Sequence, residues 1–187
     1  MLPLFLVISV FLTQLSVAAH TENFKIVNSL AQKAHVKLDL TGEQSYAIYE
    51  KFPPKPYNPF EYHMRLIVGH VKCEDENNCD FVADTFHMQA PRQGERWEGK
   101  LGSKTVQHSR NRPWKANHYY DKKEDIDKPL AQPNTYKWAG PTRKLSYEDI
   151  YDIGEDWCHS CLHWRYNKVY SNCHHFVYDV YNEIKQK

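Results

Sequence analysis

The sequence predicts an α+β domain in which a small antiparallel β-sheet packs against helices. Two observations point there. Two strand-forming runs, residues 62–71 and 79–89, flank a short polar loop bracketed by Cys73 and Cys79, the pattern of a β-hairpin. Segments 24–34, 146–154 and 172–185 carry helix-start residues or apolar residues at helical spacing. Lysine and arginine total 24 against 23 acidic residues, a balance that gives no electrostatic case for nucleic acid or an anionic membrane surface.

Residues 1–19 carry no charge, hold an apolar run over 2–12 and end in Ser16, Val17, Ala18 and Ala19. They are expected to be a secretory signal peptide cleaved near Ala19, with residues 20–187 forming one domain of a secreted protein and no integral membrane span. In 24–34, Phe24, Val27, Leu30, Ala31 and Ala34 form the apolar face of a first helix. Pro53, Pro54, Pro56 and Pro59 then forbid helix and central strand, so this stretch is a linker.

The hairpin register follows if Cys73 opposes Cys79. His63 then stands across from Gln89 and Arg65 across from His87. Period-two alternation sends His63, His87 and Gln89 to one face and His70 to the other. Residues 90–143 are polar and broken by proline and glycine. They are expected to form a long irregular loop with one short strand over 104–107. Ser146 and Asp149 make a capping-box pattern opening a helix that should stop near Gly154.

Five cysteines in an oxidising compartment favour pairs close in sequence. Cys73 with Cys79 and Cys158 with Cys161 leave Cys173 over. Phe176, Val177, Val180, Tyr181 and Ile184 recur at helical spacing behind it, and Asn172 is a natural N-cap. Cys173 therefore falls in a first helical turn, where free N–H groups and the helix dipole favour a thiolate. A thiol nucleophile needs a base and a group to orient that base. In chain order the candidates are His63, then His87 or Gln89, then Cys173.

This order resembles the circularly permuted branch of the papain-like (NlpC-like) superfamily, which includes lecithin:retinol acyltransferase-like proteins and PPPDE deubiquitinase-like peptidases. There a histidine begins a strand and the cysteine sits in an Asn-Cys-x-x-Phe element, matched by His63 and by Asn172, Cys173 and Phe176. Gly140, Pro141, Thr142, Glu148, Ile150, Ile153, Gly154 and Tyr166 extend the likeness, which covers roughly residues 62–185. Met64 and Arg65 depart from it, since relatives carry small or aromatic residues beside the histidine. The resemblance implies a permuted papain-like fold with Cys173 as nucleophile, His63 as base and His87 or Gln89 as orienter. It further implies a cofactor-free hydrolase or acyltransferase acting on an amide or ester of a small-molecule, lipid or peptide substrate.

Other readings compete. Cys158, Cys161, His163, His174 and His175 invite a zinc site, but Tyr178, Asp179 and Val180 occupy the places of the second histidine of a finger. No thioredoxin-like context precedes Cys158 to make it a redox centre. A catalytically inactive secreted binding module that keeps the fold is the main rival. Trp97, Trp114, Tyr119, Tyr120 and Trp138 either cover a substrate or pack on their own domain.

Overall fold

The computed structural model describes residues 20–53, 63–75, 77–89, 105–108, 113–121, 126–129, 133–160 and 172–187. The expected signal segment 1–19, most of the proline linker, and Trp97, Cys161, His163 and Tyr166 lie outside them.

Helix α1 spans Glu22–Lys33 and buries Phe24, Val27 and Ala31, the stripe expected from their spacing. The Thr21 hydroxyl caps it by accepting from the Phe24 N–H at 3.2 Å, which satisfies one of the orphan donors of the first turn. That hydroxyl also donates to Asp80. The Thr21 N–H donates to the Cys79 carbonyl at 3.1 Å, so the start of the helix is tied to the hairpin. Beyond it, the Asp39 carboxylate accepts from the backbone N–H groups of Thr41, Glu43 and Gln44 at 2.9–3.0 Å. These bonds to its charged form hold its pKa down to about 2, and the turn delivers the chain into the first strand.

Among the described residues, one sheet runs in the order β4-β3-β2-β1-β7 and a two-stranded ribbon pairs β5 with β6. The strands are β1 (Ser45–Lys51), β2 (Met64–Asp75), β3 (Asn78–Gln89), β4 (Thr105–His108), β5 (His118–Asp121), β6 (Ile126–Pro129) and β7 (Thr135–Thr142). All pairings are antiparallel. The hairpin of β2 and β3 has the expected register: Cys73 opposes Cys79 and is disulfide-bonded to it, and Leu66 opposes Phe86. The expected strand over 104–107 is β4.

Two strands depart from the expectation. β1 falls where the sequence carries no clear strand signal, and β7 lies inside the stretch expected to be irregular. β7 tolerates Pro141 because it is an edge strand, where a missing N–H need not break a ladder. Its pairing with β1 shifts between Ala47 and Ile48, which oppose Gly140 and Trp138. Ala139 is thus the extra residue of a bulge. Gly140 has φ +140°, a conformation that disfavours side chains. The hydroxyl of Tyr181 donates to the Ala139 carbonyl at 2.9 Å, docking the last helix on this bulge.

Helix α2 covers Tyr147–His159 and α3 covers Cys173–Ile184. The capping box of Ser146 and Asp149 is present. However, α2 runs through Gly154 instead of stopping there. A glycine inside a helix costs only about 1 kcal/mol, less than what burying Ile150 and Cys158 on the same helix contributes.

Both faces of the sheet are covered. Ala47, Tyr49, Met64, Leu66, Val68, Phe86 and Met88 face α2 and α3, meeting Ile150, Phe176, Val177, Val180 and Ile184. On the other face Tyr46, Ile48, Ile67, Val71, Phe81 and Ala83 meet α1 and Trp114. Trp114 and Trp138 therefore pack on their own domain, against Phe81 and Tyr46 respectively. The described side chains give no covering role to these two rings.

β2 and β3 approach so closely at Gly69 that a Cβ there would fall inside the Val82 carbonyl and the Ala83 side chain. Backbone cannot yield as a flexible side chain can. Gly69→Ala is expected to lower unfolding stability by about 3 kcal/mol or more, read as a fall in the urea midpoint at unchanged slope.

Candidate functional site

The site is built at the end of β2 where α3 begins. Asn172 caps α3 as expected: its Oδ1 accepts from the N–H groups of His174 and His175 at 3.0 and 3.2 Å and lies 3.0 Å from the His175 Nδ1. That cap fixes Cys173 in the first turn. Its side chain is 9% exposed and joins the core cluster that holds Met64, Phe176 and Val177.

Three backbone N–H groups, those of Met64, Cys173 and His174, act on the Cys173 sulfur and favour its thiolate. Burial acts more strongly in the opposite direction and raises the thiol pKa overall. The expectation of a helix-activated thiolate is thus corrected. The N–H groups are there, but the low-dielectric pocket penalises the charge they would stabilise.

His63 directly precedes Met64, and its carbonyl accepts from the Phe52 N–H at 3.0 Å. Its ring meets that of His87 edge-on, with centroids 4.8 Å apart, and that of Phe52 at 5.8 Å. The expected proximity of His63 and His87 is therefore observed. Gln89 pairs with Thr105 in the ladder of β3 and β4; its side chain lies outside the described set. Burial foremost, then the positive charge of Arg65 and the influence of His174, lower the His63 pKa to about 4.

Alternation along β2 decides how the two groups meet. Met64, Leu66 and Val68 enter the core under α3 while Ile67 and Val71 enter the core under α1, so His63 and Arg65 project to the α1 side. The Met64 N–H acts on the Cys173 sulfur and His174, the residue after Cys173, acts on His63, so both groups stand where the start of β2 meets the start of α3. His70 lines a separate groove with Ser45, Val68 and Asp84, on the face opposite to His63.

Beneath His63 lies a polar cluster with no sequence signal of its own. Glu50, fully buried, and Arg65, 6% exposed, are cross-strand partners on β1 and β2. The Arg65 Nε and Nη2 donate to the Glu50 Oε2 at 2.8 and 2.7 Å. Asn134 donates to Oε1 at 2.7 Å, and the Tyr136 hydroxyl does so at 3.3 Å. The guanidinium also stands 4.5 Å over the Phe52 ring. Arg65, which in the sequence is only a departure from the family pattern, thus sets the charge beside the candidate base.

Cys158 is buried in α2, and its expected disulfide partner Cys161 is outside the described residues. Two grooves, of about 440 Å³ beside Ser45 and about 460 Å³ between α2 and α3, are lined by neither Cys173 nor His63. Among the described residues no group of histidine, cysteine and carboxylate side chains is arranged to hold a metal ion, and no helix is long and apolar enough to cross a membrane.

The His63 shift has a definite sign. In the unfolded chain the ring takes a proton below its ordinary 6.5, but in the folded protein only below about 4. Its contribution to stability is complete above pH 6.5, falls as pH drops from 6.5 to 4 and is flat below. The loss is up to about 3 kcal/mol. Denaturant titrations of the parent and of His63→Leu across this window are expected to show that the variant lacks this segment of pH dependence. Asp39 acts in a different window, below its ordinary 3.8.

Comparison of the chain with protein-family models, with curated proteins and with solved structures finds no match.

Proposed function

We propose that the protein is a secreted thiol hydrolase or acyltransferase of the permuted papain-like type. In this reading the Cys173 sulfur attacks the carbonyl carbon of an amide or ester. The thiol proton passes to the His63 imidazole, the carbonyl π electrons move to oxygen, and the resulting oxyanion takes hydrogen bonds from backbone N–H groups beside the sulfur. His63 then returns the proton to the departing amine or alcohol. Water or a second nucleophile resolves the thioester. His87 holds the His63 ring edge-on, with Gln89 as the other candidate orienter. The substrate is a small molecule, a lipid or a peptide.

One observation carries the reading: the N–H of Met64, the residue after His63, acts on the Cys173 sulfur. Strand start and helix start, more than a hundred positions apart in the chain, therefore converge. The Cys73–Cys79 disulfide fits an oxidising compartment, in keeping with secretion.

The protonation states set how the chemistry must run. Burial raises the Cys173 thiol pKa while that of His63 is lowered to about 4, so moving the proton from thiol to imidazole at rest is uphill. A resting thiolate–imidazolium pair is not populated, so proton transfer accompanies attack. A second reading, an inactive binding module, is favoured by this same neutrality.

Alkylation by iodoacetamide, located by peptide mass spectrometry, separates the two. The enzyme reading expects Cys173 to be modified at a rate that climbs from pH 7 to pH 9 and drops about tenfold or more in His63→Ala. Hydrolysis of a p-nitrophenyl ester should disappear in Cys173→Ala. A Cys173 that resists modification, or a rate indifferent to His63, selects the inactive module.

A further inference from the structure

At the far end of the sheet from Cys173, the described residues leave a groove on the face that carries α2 and α3, beside the first turn of α2. It measures about 440 Å³ and is lined by Ser45, Val68, His70, Asp84, Phe86 and Tyr147 among others. Its shape follows from strand register. Ser45 opposes His70 on β1 and β2, and Val68 opposes Asp84 on β2 and β3. With period-two alternation, Ser45, His70, Val68, Asp84 and Phe86 all project from this one face.

Asp84 is the unusual member. It is partly buried, and no hydrogen bond or ion pair to it forms among the described residues. Burial first, and the neighbouring carboxylate of Glu148 second, raise its pKa; His70 lowers it by a smaller amount. A carboxylate held partly out of water is costly when no partner meets it; among the described residues Glu148 adds to that cost and His70 offsets part of it. An incoming cation offsets both effects. The groove is also walled by the partly exposed apolar side chains of Val82 and Leu145, which suit a hydrocarbon stem.

We propose that this groove binds an alkylammonium group, its charge on Asp84 and its aliphatic stem along Val82 and Leu145. The chemistry is shared by free alkylamines and by a lysine side chain in a peptide. Ser45 and His70 flank the charge. The site lies apart from Cys173 and stands or falls independently of the thiol chemistry.

Binding of n-pentylammonium and of the peptide acetyl-Gly-Lys-Gly-amide to the purified protein tests this, followed by NMR shifts of the His70 ring and by calorimetry. n-Pentanol and the norleucine peptide serve as uncharged controls. The proposal expects the charged probes to bind and the controls to bind at least tenfold more weakly. It further expects affinity to fall as salt is raised, and Asp84→Asn to weaken the charged probes about tenfold or more. If the pentylammonium ion binds and the lysine peptide does not, the ligand is a free amine; the reverse identifies a peptide. Equal binding of charged and uncharged probes, shifts that leave His70 untouched, or no binding by either charged probe overturns it. The salt dependence and the His70 shifts are read on the unaltered chain, so the test does not require the variant to fold.

Discussion

The pairing of Glu50 with Arg65 governs the end of the sheet where the candidate site stands. Both charges are removed from water, and such a pair persists only when its remaining lone pairs and protons are satisfied. Here Asn134 and Tyr136 occupy the second carboxylate oxygen, and the His118 carbonyl accepts from Arg65 at 3.3 Å. Those bonds tie β1, β2, β7 and the start of β5 to one point. Losing either partner would leave an uncompensated charge in the interior, a cost of about 3–5 kcal/mol. The neutral His63 lies against this charge, so the order of the base and the order of the sheet end share one cause.

Burial also sets the protonation of the two candidate groups. The thiol and the imidazole titrate in opposite senses, yet a low-dielectric setting favours the uncharged form of each. Cys173 is pushed up and His63 down. The N–H groups at the start of α3 and at Met64 oppose the first shift without reversing it. Arg65 and His174 reinforce the second.

Several elements are legible in the chain because their signals are local. α1 shows its buried stripe at Phe24, Val27 and Ala31; α3 shows Asn172 followed by Phe176, Val177, Val180 and Ile184; α2 announces its start through Ser146 and Asp149. The hairpin register needs only the disulfide as an anchor. β1 and β7 are not legible. Their residues Ser45, Tyr46, Glu50, Lys137 and Pro141 match neither alternation nor a continuous apolar run, because β1 buries both faces and also hides Glu50. The end of α2 lies beyond the expected stop because Gly154 ends a helix only when no core holds the following turns, and here Cys158 is buried beyond it.

By itself the sequence determined the candidate residues and the local elements that carry them: a cysteine behind an asparagine cap, a histidine just before a strand, and a second histidine on the same face of the hairpin. Capping and alternation act over a few residues, so they can be read in one dimension. Only the tertiary structure decided the protonation of those groups and the charged cluster beneath them. Each depends on burial and on partners distant in the chain, such as Glu50 with Arg65 and Asn134, which no local pattern encodes.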